Sequence, residues 1–169
     1  GGSEHEFPAR HFRRVFARAR ELGFHTTAHA GEADGAHSIW DAVRFLEVER
    51  IGHGTRASQD PDLVHFLTMH RIPLEMCPMS NVRTNVVSSL ADHPIRHFFE
   101  AGMIVTVNTD DPMMFQTRLA DEYRLLEAEC GFSRPEICQL VINAIQVSWL
   151  PAERKKSMLA EFQTHSPLS

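Results

Sequence analysis

Cysteine is scarce: 169 residues hold only Cys77, Cys130 and Cys138, with no C-x-x-C spacing. That excludes a disulfide scaffold and a structural zinc finger, and it fits a reducing, cytoplasmic setting. Positive charge is not in excess either. Seventeen Lys+Arg stand against 22 Asp+Glu, a formal net charge of −5, so nothing electrostatic draws the chain to nucleic acid. No apolar run approaches the roughly 18 residues that cross a bilayer, and no membrane partner is expected. Internal repeats and low-complexity tracts are missing as well. What is present is ordinary for a globular domain: 43% hydrophobic and 23% charged residues, too apolar for disorder and enough for a sizeable core. The one unusual count is histidine, with 11.

A short apolar run, a polar turn and an amphipathic helix recur along the chain. Helical spacing predicts a first helix over residues 8–22, closed by Gly23. A strand is expected over 24–28, running into His29-Ala30-Gly31-Glu32. Ser38 is expected to cap the next helix, with Asp41 three residues on as in a capping box. A very short run over 50–54 leads to a helix over 61–70 capped by Asp60. Strands over 72–76 and 103–107 bracket a helix over 92–101. Three more helices are expected near 118–129, 134–148 and 151–162. Four strand–helix units in series read as α/β with a parallel sheet. They amount to half of a (β/α)8 barrel, whose usual length is roughly 250 residues. Residues 1–169 are therefore expected to be the C-terminal portion of one barrel domain, with its N-terminal half absent.

Polar residues gather where each strand ends, the place that carries the chemistry in α/β folds. His29 sits at a strand exit between small residues. His25 would lie about 13 Å from it along one strand and cannot share its metal ion. Glu32 is either a functional carboxylate or a helix N-terminal charge. His53, bracketed by Gly52 and Gly54, is either aimed by a sharp turn or simply buried and hydrogen-bonded. Asp110-Asp111-Pro112 is either a carboxylate pair awaiting a cation or a helix N-cap. Imidazole and carboxylate together suit zinc, which normally takes at least three protein ligands in a catalytic site. Cys77 is expected to be a small buried residue rather than a nucleophile. Ser80-Asn81 either contacts a ligand or caps a turn, and His37, His65, His70, His93 and His97 are expected at the surface.

Four motifs stand in order: Thr27-Ala28-His29-Ala30-Gly31-Glu32, Arg50-Ile51-Gly52-His53-Gly54, Leu74-Glu75-Met76-Cys77-Pro78-Met79-Ser80-Asn81 and Asn108-Thr109-Asp110-Asp111-Pro112. Together they resemble the adenosine deaminase family of the amidohydrolase superfamily, in its bacterial branch. The resemblance implies a zinc-dependent (β/α)8 hydrolase of a small-molecule purine nucleoside, with this chain as strands five to eight. It implies that His29 and Asp110 are zinc ligands and that Glu32 donates a proton to purine N1. It further implies that His53 orients and helps deprotonate the water, that Asp111 bonds N7, and that the Gly2 backbone meets N3. The family's remaining zinc ligands are a His-x-His pair, and no His-x-His occurs here. Met79 departs from the smaller or polar residue common in relatives, which leaves the exact adenine-bearing substrate open. Adenosine, adenine and aminodeoxyfutalosine are the candidates, and the 169-residue chain by itself is expected to be inactive.

Overall fold

The short apolar runs become one parallel sheet. In the computed structural model, which describes residues 3–165, β1 (Thr27–Ala30), β2 (Arg50–His53), β3 (Leu74–Met76) and β4 (Val105–Val107) lie side by side in chain order. Thr27 pairs with Arg50, His29 with Gly52, Gly52 with Glu75, and Glu75 with Thr106. Alternate strand residues face opposite sides of a sheet. Thr27, His29, Arg50, Gly52, Glu75 and Thr106 therefore share one face, and Ala28, Ile51, Leu74 and Val105 the other. The second face is the core: Ile51, Leu74 and Val105 are buried with Ile39, Leu63, Leu67, Ile95 and Phe98.

Helices fill each crossover. They are α1 (Arg13–Glu21), α2 (Ala36–Asp41), α3 (Pro61–Met69), α4 (Pro78–Arg83) and α5 (Ile95–Glu100), followed by α6 (Leu119–Glu129), α7 (Arg134–Val147) and α8 (Ala152–His165). Asp60 caps α3 as expected, its carboxylate accepting the N–H groups of Asp62 and Leu63, with Pro61 at the first turn. At the other end, Asn143 of α7 donates to the carbonyl of Val105 at 3.2 Å, which covers part of the outer side of β4.

Several expectations need correction. The first strand lies three residues later than its apolar pattern suggested, because pairing with β2 fixes its register and leaves Phe24 64% exposed. The helix after it begins at Ala36 behind Gly35, not at Ser38. Ser38 sits inside that helix because its hydroxyl donates to the carboxylate of Glu4, and Asp41 pairs with Arg10. The helix expected from residue 92 starts only at Ile95, since Asp92 accepts the hydroxyls of Ser88 and Ser89. Among the described residues no helix is long and apolar enough to cross a membrane, and none of the three cysteines is in a disulfide.

Candidate active site

Four expected site residues converge at the C-terminal ends of the strands. His29 is near the end of β1, Glu32 lies two residues beyond that strand, His53 ends β2, and Asp110 follows β4. Glu32 Oε2 is 3.8 Å from His29 Nδ1 and 3.4 Å from His53 Nε2. Asp110 Oδ2 is 4.0 Å from His53 Nε2. The two imidazoles meet edge to face at 4.7 Å. Strict alternation would send His53 to the core face with Ile51. Its backbone instead takes φ 61°, and Asp110 takes φ 56°. The left-handed region costs a non-glycine residue about 1–2 kcal/mol, and here it goes with the turn of the His53 ring toward His29 and the approach of Asp110 to His53. Gly52 has a separate reason: a Cβ there would stand 2.6 Å from the His29 ring. It makes room for that ring, while Gly54, at φ 67°, supplies the turn.

The arrangement can hold a divalent cation. One donor atom each from His29, Glu32 and His53 lie within 4.8 Å of one another, and Asp110 borders the same space through its 4.0 Å approach to His53. The neighbouring cleft, about 380 Å³, is lined by His29, His53, Glu75, Cys77, Asn108 and Asp110. Burial pushes the pKa of Glu32 up. His29 opposes that shift, and the negative charges of Asp110 and Glu4 reinforce it. Burial also lowers His53, to about 4, so its ring is neutral at ordinary pH. A carboxyl whose pKa burial raises, set beside a neutral imidazole, is suited to proton donation.

The residues that hold this group in place were largely invisible in the sequence. The Glu4 carboxylate accepts the N–H groups of Gly31 (2.5 Å), Glu32 (3.2 Å), Ala33 (2.7 Å) and Asp34 (3.1 Å), besides the Ser38 hydroxyl. It clamps the loop that presents Glu32. Ser80 Oγ donates to Asp110 at 2.7 Å. The fully buried Glu122 accepts the Met79 N–H and the Thr117 hydroxyl, fixing the start of α4. Asn81 lies between His53 and His93, 3.1 Å from each. His93, expected at the surface, is 4% exposed. The only hint in the sequence was that Ser80-Asn81 lies a few residues beyond a strand end.

Other expected residues stand apart. Asp111 turns back on its own loop, its Oδ1 accepting the N–H groups of Met113 and Met114; it closes a turn and not a helix, since α6 begins only at Leu119. Gly2 lies outside the described residues. Cys77 is buried, and burial raises its thiol far above the usual value, so it offers no thiolate.

The sequence matches the family described as adenosine deaminase over residues 1–165. It is 44% identical to an adenosine deaminase of Klebsiella pneumoniae over 94% of this chain and 47% of that protein. It is 42% identical to an aminodeoxyfutalosine deaminase of Streptomyces avermitilis over 98% of this chain and 46% of that protein. The fold superposes on the adenine deaminase of Arthrobacter aurescens with a TM-score of 0.94 at 39% identity, covering 97% of this chain and 50% of that one. An amidohydrolase of Burkholderia ambifaria, solved with bound Zn, gives 0.91 at 26% identity, covering 99% and 47%. The chain thus spans about half the length of the curated relatives it matches.

Proposed function

The chain belongs to the adenosine deaminase family, and on that premise we propose that it forms the C-terminal portion of a (β/α)8 hydrolase that deaminates adenosine to inosine and ammonia. The observation that carries this reading is the convergence of His29, Glu32, His53 and Asp110 at the strand ends. His29 and Asp110 are the zinc-holding residues of this portion. When bound, zinc supplies Lewis acidity and makes hydroxide available near neutral pH. Two ligands are fewer than a catalytic zinc normally takes, so turnover is assigned to the longer protein that carries the remainder.

This chain's own residues then divide the work. Glu32, whose pKa burial raises, gives its proton to N1 of the purine. Protonation lets the C6–N1 π electrons settle on N1 as the water oxygen bonds to C6. One proton of the water returns to Glu32 and the other passes to the amino group, so that collapse of the tetrahedral carbon expels ammonia and leaves the 6-oxopurine. His53 orients the attacking water, and Asp111 is assigned to the N7 edge of the purine, a contact that requires a proton on its second oxygen because N7 only accepts. Glu4 keeps Glu32 at its station through the four backbone bonds of its loop.

Relatives at 44% and 42% identity act on different adenine-bearing molecules, so a substrate panel is the deciding experiment. With the full-length zinc protein, ammonia release is expected to show the highest kcat/KM for adenosine over adenine and aminodeoxyfutalosine. Glu32→Gln is expected to cut kcat by about 10²–10⁴ with zinc content retained. Near-normal turnover in that variant would remove Glu32 from its role, and a preference for another member of the panel would rename the substrate.

A further inference from the structure

The polar atoms behind His53 form a chain whose direction has only one solution. It begins at the backbone N–H of Ile95, which can only donate, and donates to His93 Nδ1 at 3.2 Å. A neutral imidazole has one acceptor nitrogen, so His93 carries its proton on Nε2. That N–H points at Asn81 Oδ1, 3.1 Å away. The same oxygen accepts the Thr55 hydroxyl at 3.3 Å; the orientation of the amide is fixed by the His93 contact, since a hydroxyl serves either as donor or as acceptor. Asn81 Nδ2 is then left to donate to His53 Nδ1, at 3.1 Å. Reversing the amide would set an N–H of Asn81 against a His93 nitrogen that also bears a proton. Thr55, His53, Asn81 and His93 are all buried, so water does not offer the chain an alternative partner.

We infer that Asn81 and His93 are positioning residues that fix His53 with its proton on Nε2, so that His53 serves the reaction as a hydrogen-bond donor. Nε2 is the nitrogen that faces Glu32 and Asp110. In this tautomer the ring steadies the attacking oxygen by donating to it and accepts no proton from it. This sets aside the deprotonating half of the role that family resemblance attached to His53. His93 faces Asn81 and the Ile95 amide at its two nitrogens, and burial keeps it neutral, with a pKa lowered to about 4. The direction of the chain is therefore unchanged across the working pH range. The inference rests on the deaminase reading for its catalytic meaning, but the tautomer is a property of the protein without substrate.

The test is nitrogen NMR of the full-length, zinc-loaded protein labelled with ¹⁵N-histidine, with the His53 signals assigned by their loss in His53→Ala. The expected spectrum has a protonated Nε2 and a bare Nδ1 on His53. Asn81→Asp replaces the donor with an acceptor and is expected to move the proton to Nδ1. It is expected to lower kcat by about 10²–10⁴, the cost of a wrong tautomer, with KM changed less than threefold. A wild-type His53 protonated at Nδ1 overturns the inference, as does an Asn81→Asp protein with the wild-type spectrum and kcat. Should that variant not fold, the wild-type spectrum decides alone. A failed substrate panel leaves the spectrum untouched, so the two readings fail separately.

Discussion

The two ends of the sheet's polar face carry the same residue types and use them in opposite ways. At the N-terminal ends of the strands, every charge meets its complement. Arg50 Nε lies 3.4 Å from Glu75 Oε1, an ion-pair contact without hydrogen-bond alignment. Thr27 donates to the other Glu75 oxygen at 2.9 Å. The Arg50 guanidinium stacks on Trp149 at 3.6 Å, and His25 stacks on Trp149 while contacting Glu49 at 2.8 Å. At the C-terminal ends, Glu32 and Asp110 face two imidazoles, one of them neutral by burial. Among the described residues neither carboxylate pairs with a lysine or arginine. A polar cluster that satisfies itself is architecture. One whose acceptors converge on a shared space is prepared for a cation and for chemistry.

The largest expected break in this contrast comes from the mouth. Asp110→Ala in the full-length protein should remove most bound zinc by metal analysis and lower turnover more than about 10³-fold, while leaving the melting temperature of the metal-free protein unchanged or higher. At the base the pattern should invert. Arg50→Met strands Glu75 and should cost about 1–3 kcal/mol in urea unfolding, with kcat within threefold of wild type.

Acid should sharpen the comparison further. His93 has a folded pKa of about 4 against an ordinary 6.5. Above pH 6.5 both folded and unfolded chains leave it neutral. Between pH 6.5 and 4 the unfolded chain binds a proton that the folded one refuses, so stability falls as pH drops, by on the order of 2–3 kcal/mol at the lower limit. Urea midpoints from pH 7 to 4.5 should show this slope, and His93→Phe should flatten it by about one proton. The smallest effect belongs to the helix layer. Asp60→Ala removes the cap of α3 and the acceptor of the Trp40 indole N–H, and should lower the melting temperature by a few degrees with kinetics intact.

How much of this was legible in the sequence depends on the distance between partners. Strand and helix order followed from local apolar spacing and from stops such as Gly23 and Gly102. Asp60 was legible because its partners are two and three residues away. His29, Glu32, His53 and Asp110 could be singled out because strand ends concentrate polar residues, and family resemblance gave them roles. Ser38 misled because its partner, Glu4, is 34 residues away. His93 misled for the same reason: its burial is set by Asn81, 12 residues upstream, on a helix that the apolar pattern did not announce. Gly52 read as part of a sharp turn beside His53, whereas it is the space into which the His29 ring fits, and only the register of β1 on β2 reveals that.

Trp40 and Trp149 are the chain's two tryptophans, and the fold gives them separate addresses. Trp40 sits in the helix layer between Phe66 and the Arg44 guanidinium, tethered to Asp60. Trp149 is held between His25 and Arg50 beneath the strands. With one indole replaced by phenylalanine, the fluorescence of the other becomes a regional gauge. The floor of the sheet and its outer helices can then be followed independently through an unfolding curve, and neither signal passes through the candidate site at the strand ends.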